Sequence, residues 1–423
     1  EINEWPISYD ELKDCYNAVA DKYDFINTLT KQHTGENFDV FTKRPFYAYV
    51  KAINYKEYIS EDIDVICNAH AVSLCSNNNS IIKVIISNVD TKHLSFVEAK
   101  YFFLTAGGLE TSKLLLNAAE KGDLKLGAEQ KIMGHYFMNH PRGELGIFKV
   151  NENVNIDDFC GTTSDDILSY FGISLHPDIQ KANGLMNSYI RFEPRMPWNK
   201  DSLVFSFITL LKKRTYILKT FLAMHKKKSV TMLDYGETGD EDYAEELITN
   251  SPLVSLKNLI FYLFFRVTNK KPRVKEYNVR NYIEMEPRYE NKVYLTNEKD
   301  ELGQYGICVD YSLSERDKKS LIMLHKEFNK YITEKSIGKL QSDFDSLKRW
   351  PMNKDSSHHC GGTIMGVVPE KSFVDSDLKV HSLNNLYICS SSVMPTSGSQ
   401  NPTFTIAALS FMLVDKFIKE DNR

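Results

Sequence analysis

The sequence has no cysteine pair at metal-ligand spacing. Its seven cysteines (Cys15, Cys67, Cys75, Cys160, Cys308, Cys360 and Cys389) are scattered, and none belongs to a Cys-x-x-Cys. An odd, scattered set reads as free thiols in a reducing compartment, so a cytoplasmic protein is expected. Positive charge is not in excess: 52 Lys+Arg against 56 Asp+Glu give a net −4, which removes the electrostatic ground for a nucleic-acid partner. Glycine is scarce at 20 residues in 423, which excludes collagen-like and low-complexity chains. No unit repeats at a period of roughly 20–50 residues. The chain opens on Glu1 and reaches Trp5-Pro6 with no basic segment and apolar run of a secretory signal. The expectation is a processed terminus or a fragment.

Apolar residues make up 42% and charged residues 26%, a globular balance. The 423 residues leave room for two or three domains at roughly 150 residues each. A chain of this size buries enough surface to hold a core without disulfides or metal. Residues 5–24 carry an amphipathic helix pattern, with Ser8 and Glu11 as a capping box. No period is visible over 25–60. From Val65 two apolar runs flank Asn77-Asn78-Asn79-Ser80, which reads as a hairpin. The segment FVEAKYFFLTAGGLETSKLLL (96–116) reads as a strand over Tyr101–Leu104, a turn at Thr105-Ala106-Gly107-Gly108, and a helix. Such a turn presents backbone N–H groups to a phosphate or a flat ring, although many α/β proteins make it only for packing. Over 145–310, GELGIFKV, SLVFSFITLL and NKVYLT alternate as strands of an antiparallel sheet. The helical period resumes over 312–347, with Ser314 and Asp317 as cap. A short strand follows at Leu386–Cys389, and Asn401-Pro402-Thr403 opens a last helix, with Asn401 as N-cap and Pro402 at N1.

Between the strands lies a charge-segregated stretch: basic HKKKS (225–229), acidic ETGDEDYAEE (237–246), and apolar LKNLIFYLFFRV (256–267). The apolar run is short of the ~20 residues a bilayer span needs. Two readings stand: a buried helix, or a helix lying on a membrane or over a greasy substrate. His358-His359-Cys360 offers metal-binding atoms, but adjacent side chains converge poorly on one ion, so no metal site is read. Ser390-Ser391-Ser392 has no Gly-x-Ser-x-Gly elbow around it, which argues against a serine hydrolase. A histidine beside a glycine turn is, without context, more often structural than catalytic.

HCGGTIMG (359–366), FVDSDLKVHSLNNLYICSSSVMPTSG (373–398) and NPTFTIAALS (401–410) together resemble the C-terminal signature of the glucose–methanol–choline (GMC) oxidoreductases. AKYFFLTAGGLETSKLLL (99–116), GHYFMNHP (134–141, with His135 where an Arg is usual), VYLTNEKDELG (293–303) and WPISYDEL (5–12) resemble earlier family segments in the right order. The resemblance runs from Trp5 to the end, with 150–280 divergent. It implies FAD as cofactor and oxidation of an alcohol, a sugar or other polyol, with the electron acceptor open. It implies His359 as the base that takes the hydroxyl proton, a task an imidazole suits. Asn401 stands at the family's second catalytic position and would orient the substrate oxygen. Cofactor contacts are implied for the Val72 backbone, the Ala106-Gly107 turn, Ser390, Ser391, Pro402 and Thr403. His358 is expected to point away from its neighbour.

Two departures accompany the resemblance. No Gly-x-Gly-x-x-Gly loop for the FAD pyrophosphate occurs in these residues, and Ser390 stands where many members have Asp. The expected fold is α/β with α+β: part of a Rossmann-like FAD-binding domain over 1–142, with entry into the substrate domain near 1–60. A substrate domain with an antiparallel sheet flanked by helices follows over 143–350. A return to the FAD domain over 351–423 carries His359 and Asn401. The rival reading is a truncated or silent relative that no longer binds FAD tightly. A third reading is a peripheral membrane protein using 256–267.

Overall fold

A computed structural model describes residues 4–25, 31–33, 37–43, 60, 62–156, 159, 170–196, 198, 201–211, 250–268, 274–342, 344 and 358–421. The basic stretch 225–229, the acidic stretch 237–246 and Cys160 lie outside these residues.

Ser8 opens the first helix, α1 (Tyr9–Lys22), as its pattern predicts: its hydroxyl accepts from the Glu11 amide while the Glu11 carboxylate accepts from the Ser8 amide. Strands β1 (Lys31–His33) and β2 (Phe38–Lys43) fill part of the stretch in which no period was visible. They are too short for a periodic signal to stand out. The hairpin forms as expected from β3 (Ala69–Asn77) and β4 (Ser80–Asn88), with β5 (Leu94–Val97) added at its edge. Asn78 and Asn79 both take positive φ, 46° and 62°, the backbone a tight two-residue hairpin loop requires. Strand β6 (Phe102–Leu104) then feeds helix α2 (Gly107–Glu120).

The antiparallel sheet is built from β7 (Arg142–Val150), β8 (Tyr170–Leu175), β9 (Tyr189–Pro194), β10 (Glu276–Tyr282) and β13 (Gly338–Gln341), joined by β1 and β2. Its order is β1-β2-β8-β9-β10-β7-β13. Helix α3 (Pro177–Asn183) links β8 to β9. Helix α5 (Glu315–Glu334) starts with the expected Ser314–Asp317 capping box. It buries Leu321, Leu324, Phe328 and Ile332 in one core with Phe38, Phe148 and Phe192 of the sheet. The run NKVYLT is a strand, but β11 (Lys292–Lys299) pairs with β12 (Tyr305–Asp310) in a separate hairpin rather than joining the large sheet.

A second core gathers α2, the β3–β4 hairpin and the C-terminal segment. Its centre is β14 (Leu386–Ile388), which runs parallel to β6 with Leu386 opposite Phe102. Helix α6 (Thr403–Asp421) buries Leu409 and Leu413 there. The mixed α/β and antiparallel architecture expected from the sequence is therefore present.

Three expectations are corrected. The alternating run SLVFSFITLL is a helix over 202–211, because Asp201 caps its first turn by accepting from the Leu203 and Val204 amides at 3.1 and 3.2 Å. The apolar run over 256–267 is helical, within α4 (Pro252–Thr268), but its inward residues are Ser255 and Asn258 while most of its apolar side chains are exposed. The buried reading therefore fails. The last helix begins one residue later than expected: the Ile406 amide donates to the Pro402 carbonyl, so Pro402 takes the cap position given to Asn401. Among the described residues, no helix is long and apolar enough to cross a membrane.

Candidate active site

Two segments far apart in sequence lie side by side and hold His359. The Met138 and Cys360 amides each donate to the other's carbonyl at 2.9 Å, and the Gly134 amide donates to Gly362 O at 2.7 Å. This pairing needs glycine: at Gly361, with φ +75°, a Cβ would collide with the Tyr136 carbonyl. On the other side, Gly361 and Thr363 donate to the carbonyls of Ser391 and Ser392, at 3.2 and 3.1 Å. The histidine segment is thus bonded by backbone on both flanks.

Side chains complete the hold. The Ser391 hydroxyl donates to the His359 carbonyl at 2.6 Å. Helix α2 approaches the same carbonyl so closely that a Cβ on Gly108 would strike it. The His359 ring lies 5.7 Å from the Phe137 ring, and partial burial keeps its pKa below the ordinary 6.5. A neutral imidazole is the form able to accept a proton. His358 takes a left-handed backbone, φ +84°, rather than the extended one expected, and its ring lies 5.6 Å from that of His140. Cys360 is fully buried and its thiol is pushed up to about 12, so it stays protonated and is no thiolate ligand. Among the described residues, no three His, Cys, Asp or Glu gather as a metal site.

The serine run is a hydrogen-bond chain. The Ser390 hydroxyl reaches Gly107 O at 3.4 Å and Ser392 Oγ at 2.7 Å, and Thr363 Oγ1 donates to Ser392 Oγ at 2.6 Å. It joins the start of α2 to the turn after β14. Ala106, at the cap of α2, offers no side chain to the first amides of the helix, which leaves donors at that end.

Asn401 and Pro402 line a cavity of ≈ 410 Å³ with Trp5, Tyr16, Ser399 and Thr405 among its other walls. Trp5 Nε1 donates to Thr396 Oγ1 at 2.8 Å, and the Tyr16 and Thr405 hydroxyls meet at 2.8 Å, so α1 forms the outer wall. The Ser399 hydroxyl is buried without a hydrogen-bond partner. Thr403 is the first residue of α6.

Val72 is placed apart from these residues. It sits at the irregularity between Ala71 and Ser73 in the β3–β4 pairing, so its backbone is outside the ladder. Its carbonyl accepts from Lys121 Nζ at 3.3 Å. Lys121 caps the C-terminal end of α2, roughly 20 Å along the 14-residue helix from Ala106.

Sequence reasoning passed over two residues. His140, the histidine of GHYFMNHP, is buried, with Nε2 2.6 Å from Gly398 O and Nδ1 3.4 Å from His358 O. It therefore ties the His359 segment to the cavity loop. The motif itself was the available signal. Glu284 is a buried carboxylate accepting from the Asn187 amide at 2.7 Å and the Gly398 amide at 2.9 Å. No spacing in the sequence marks it.

The sequence profile of the GMC oxidoreductases, C-terminal part, matches residues 287–410, which contain His359, the serine chain and Asn401. Residues 287–410 thus carry the C-terminal domain of the GMC oxidoreductases. Among curated relatives, this chain is 30% identical over 138 residues to the fructose dehydrogenase large subunit of Gluconobacter japonicus, covering 32% of this chain and 24% of that one. It is 29% identical over 133 residues to the 6'''-hydroxyparomomycin C oxidase of Streptomyces lividus, covering 31% and 23%. Each alignment thus spans about a quarter of the relative. A solved structure, pyridoxine 4-oxidase from Mesorbium loti, is similar at TM-score 0.45 and 12% identity, covering 83% of this chain and 57% of that one.

Proposed function

We propose that the protein is an FAD-dependent oxidoreductase that oxidises a CH–OH donor, with a sugar or polyol as substrate. The observation that carries this reading is the placement of His359: its backbone carbonyl is held by the Ser391 hydroxyl and closed over by Gly108 within the matched GMC segment, and partial burial lowers the pKa of its imidazole. The curated relatives are named for fructose, hydroxyparomomycin C and paromamine, which supports a hydroxyl-rich substrate.

The residues present suit the flavin at its ring end. The uncapped start of α2 at Ala106-Gly107 and the partnerless Ser399 hydroxyl supply donors for a group rich in acceptors. Ser390, Ser391, Pro402 and Thr403 would hold the ring's surroundings, and Val72, near the far end of α2, would face the adenine. Bound FAD supplies the hydride acceptor. His359 takes the proton from the substrate hydroxyl. Asn401 bonds the substrate oxygen and fixes its carbon for transfer, without adding charge as the alkoxide develops. Leu12 and Tyr16 of α1 line the cavity beside that position. Residues 143–350 bind the rest of the substrate.

The test is the visible spectrum of the purified full-length protein, followed by anaerobic addition of sugars and polyols. Flavin absorption that bleaches with one of these donors is expected. A protein with flavin that no CH–OH donor bleaches would overturn the substrate class, and one without flavin would favour the silent relative.

A further inference from the structure

Helix α4 is turned inside out. Ser255 and Asn258 face the protein: the buried Asp201 carboxylate accepts from Ser255 Oγ at 3.0 Å, and from Asn258 Nδ2 and Asn250 Nδ2, both at 2.9 Å. The same carboxylate caps the helix over 202–211, so one buried anion pins two helices together. Trp198 backs α4 from within, stacked on Phe265 at 5.8 Å and edge-on to Tyr262 at 5.9 Å. What faces out is a stripe at helical spacing: Leu253, Leu256, Ile260, Phe261, Phe264 and Val267, with Leu253 80% and Val267 86% exposed. Leu203, Phe205 and Leu210 of the neighbouring helix are also exposed. Single exposed apolar residues are ordinary, but a stripe running the length of a helix marks a contact surface.

The charges select the occupant. Over 201–211 and 250–268 the charged residues are Asp201, Lys257 and Arg266. The anion is buried and both cations are exposed. A symmetric pairing with a second copy would bring cations against cations with no carboxylate on the face to meet them. An anionic lipid surface takes the apolar stripe at the level of the acyl chains and pairs the cations with its head groups.

We propose that α4, with the helix over 202–211, docks this protein onto an anionic lipid surface, and that the Asp201 staple holds the apolar stripe outward for that contact. The measurement is co-sedimentation of the full-length protein with phosphatidylcholine vesicles, with and without phosphatidylserine. Binding to the phosphatidylserine vesicles is expected. It should fall at least about tenfold in Leu256→Ser/Ile260→Ser/Phe264→Ser, and severalfold in Lys257→Glu, with the melting temperature unchanged in both. Absence of binding by the wild-type protein overturns the proposal. A triple variant that instead turns a dimer into a monomer assigns the face to a second copy. A triple variant that melts several degrees lower, with no vesicle binding by the wild type, assigns the face to another segment of this chain. Equal binding to both vesicle types overturns the selection by charge.

Discussion

His140 bridges two loops that lie 218 and 258 residues from it in sequence: its Nε2 lies 2.6 Å from the Gly398 carbonyl while Nδ1 faces the His358 carbonyl at 3.4 Å. The short contact assigns the ring proton to Nε2, donated to Gly398. One buried imidazole thereby sets the segment carrying His359 against the loop leading to Asn401.

Replacing His140 by Ala leaves Gly398 O without this donor and opens space between the loops. We expect a loss of about 1–3 kcal/mol in urea unfolding, with turnover falling by a larger factor than flavin content. Unchanged turnover in a correctly folded His140→Ala variant would show that the bridge does not position the site.

His359→Ala should lower substrate oxidation by about 10²–10⁴-fold, the usual worth of a general base, at unchanged melting temperature. The wild-type rate should rise with pH as the imidazole sheds its proton. Because burial lowers its pKa, the midpoint lies below the ordinary 6.5. A His358→Ala variant that loses activity while His359→Ala keeps it would reassign the base.

Asn401 is relieved of the capping role by Pro402. Asn401→Asp should therefore change stability by no more than about 0.5 kcal/mol, typical of a surface substitution. It should still depress turnover, since a carboxylate beside the developing alkoxide is repulsive. A stability loss with normal turnover would reverse both statements.

Two buried groups set opposing pH slopes. His325, between Ser342 and the Asn281 side chain, is pushed by burial from 6.5 to about 3. The unfolded chain then binds the extra proton between those values, so stability falls as pH drops from 6.5 towards 3, by about 1.4 kcal/mol per unit. Glu284 is pushed up from 4.5 to about 7, chiefly by burial. Here the folded chain holds the extra proton, so stability falls as pH rises from 4.5 to 7. Asp317, raised from 3.8 to about 6 mainly by burial, adds to the second slope over its own window. In Glu284→Gln the stability measured by urea unfolding should fall less steeply from pH 4.5 to 7 than in the wild type. In His325→Gln the decline over that range should steepen. Parallel pH profiles in wild type and both variants would contradict this account.

Much of the site was legible because its parts are local. The strand–turn–helix at 101–116, the glycine turn after His359 and the start of α6 each lie within a few residues, and their order carries the family resemblance. The serine run was legible as a motif but not as a chain, since Ser390 reaches Gly107 and Ser391 reaches His359 only after β14 pairs with β6. Glu284 and His140 were not read as site residues, because their partners lie 97 to 258 residues away.

The capping boxes at Ser8–Glu11 and Ser314–Asp317 and the Asn78-Asn79 hairpin follow from the sequence by itself. Each is closed by groups within a few residues, so composition and spacing suffice. The tertiary structure decided the conformation of 202–211 and the orientation of α4. Alternation in SLVFSFITLL predicts a strand, but the Asp201 carboxylate caps a helix there and draws Ser255 and Asn258 inward from 54 and 57 residues away. Burying that charge requires several donors, and α4 supplies them from its polar side. The apolar side is left facing out because the opposite side of the same helix, with Ser255 and Asn258, is turned inward to bond the carboxylate.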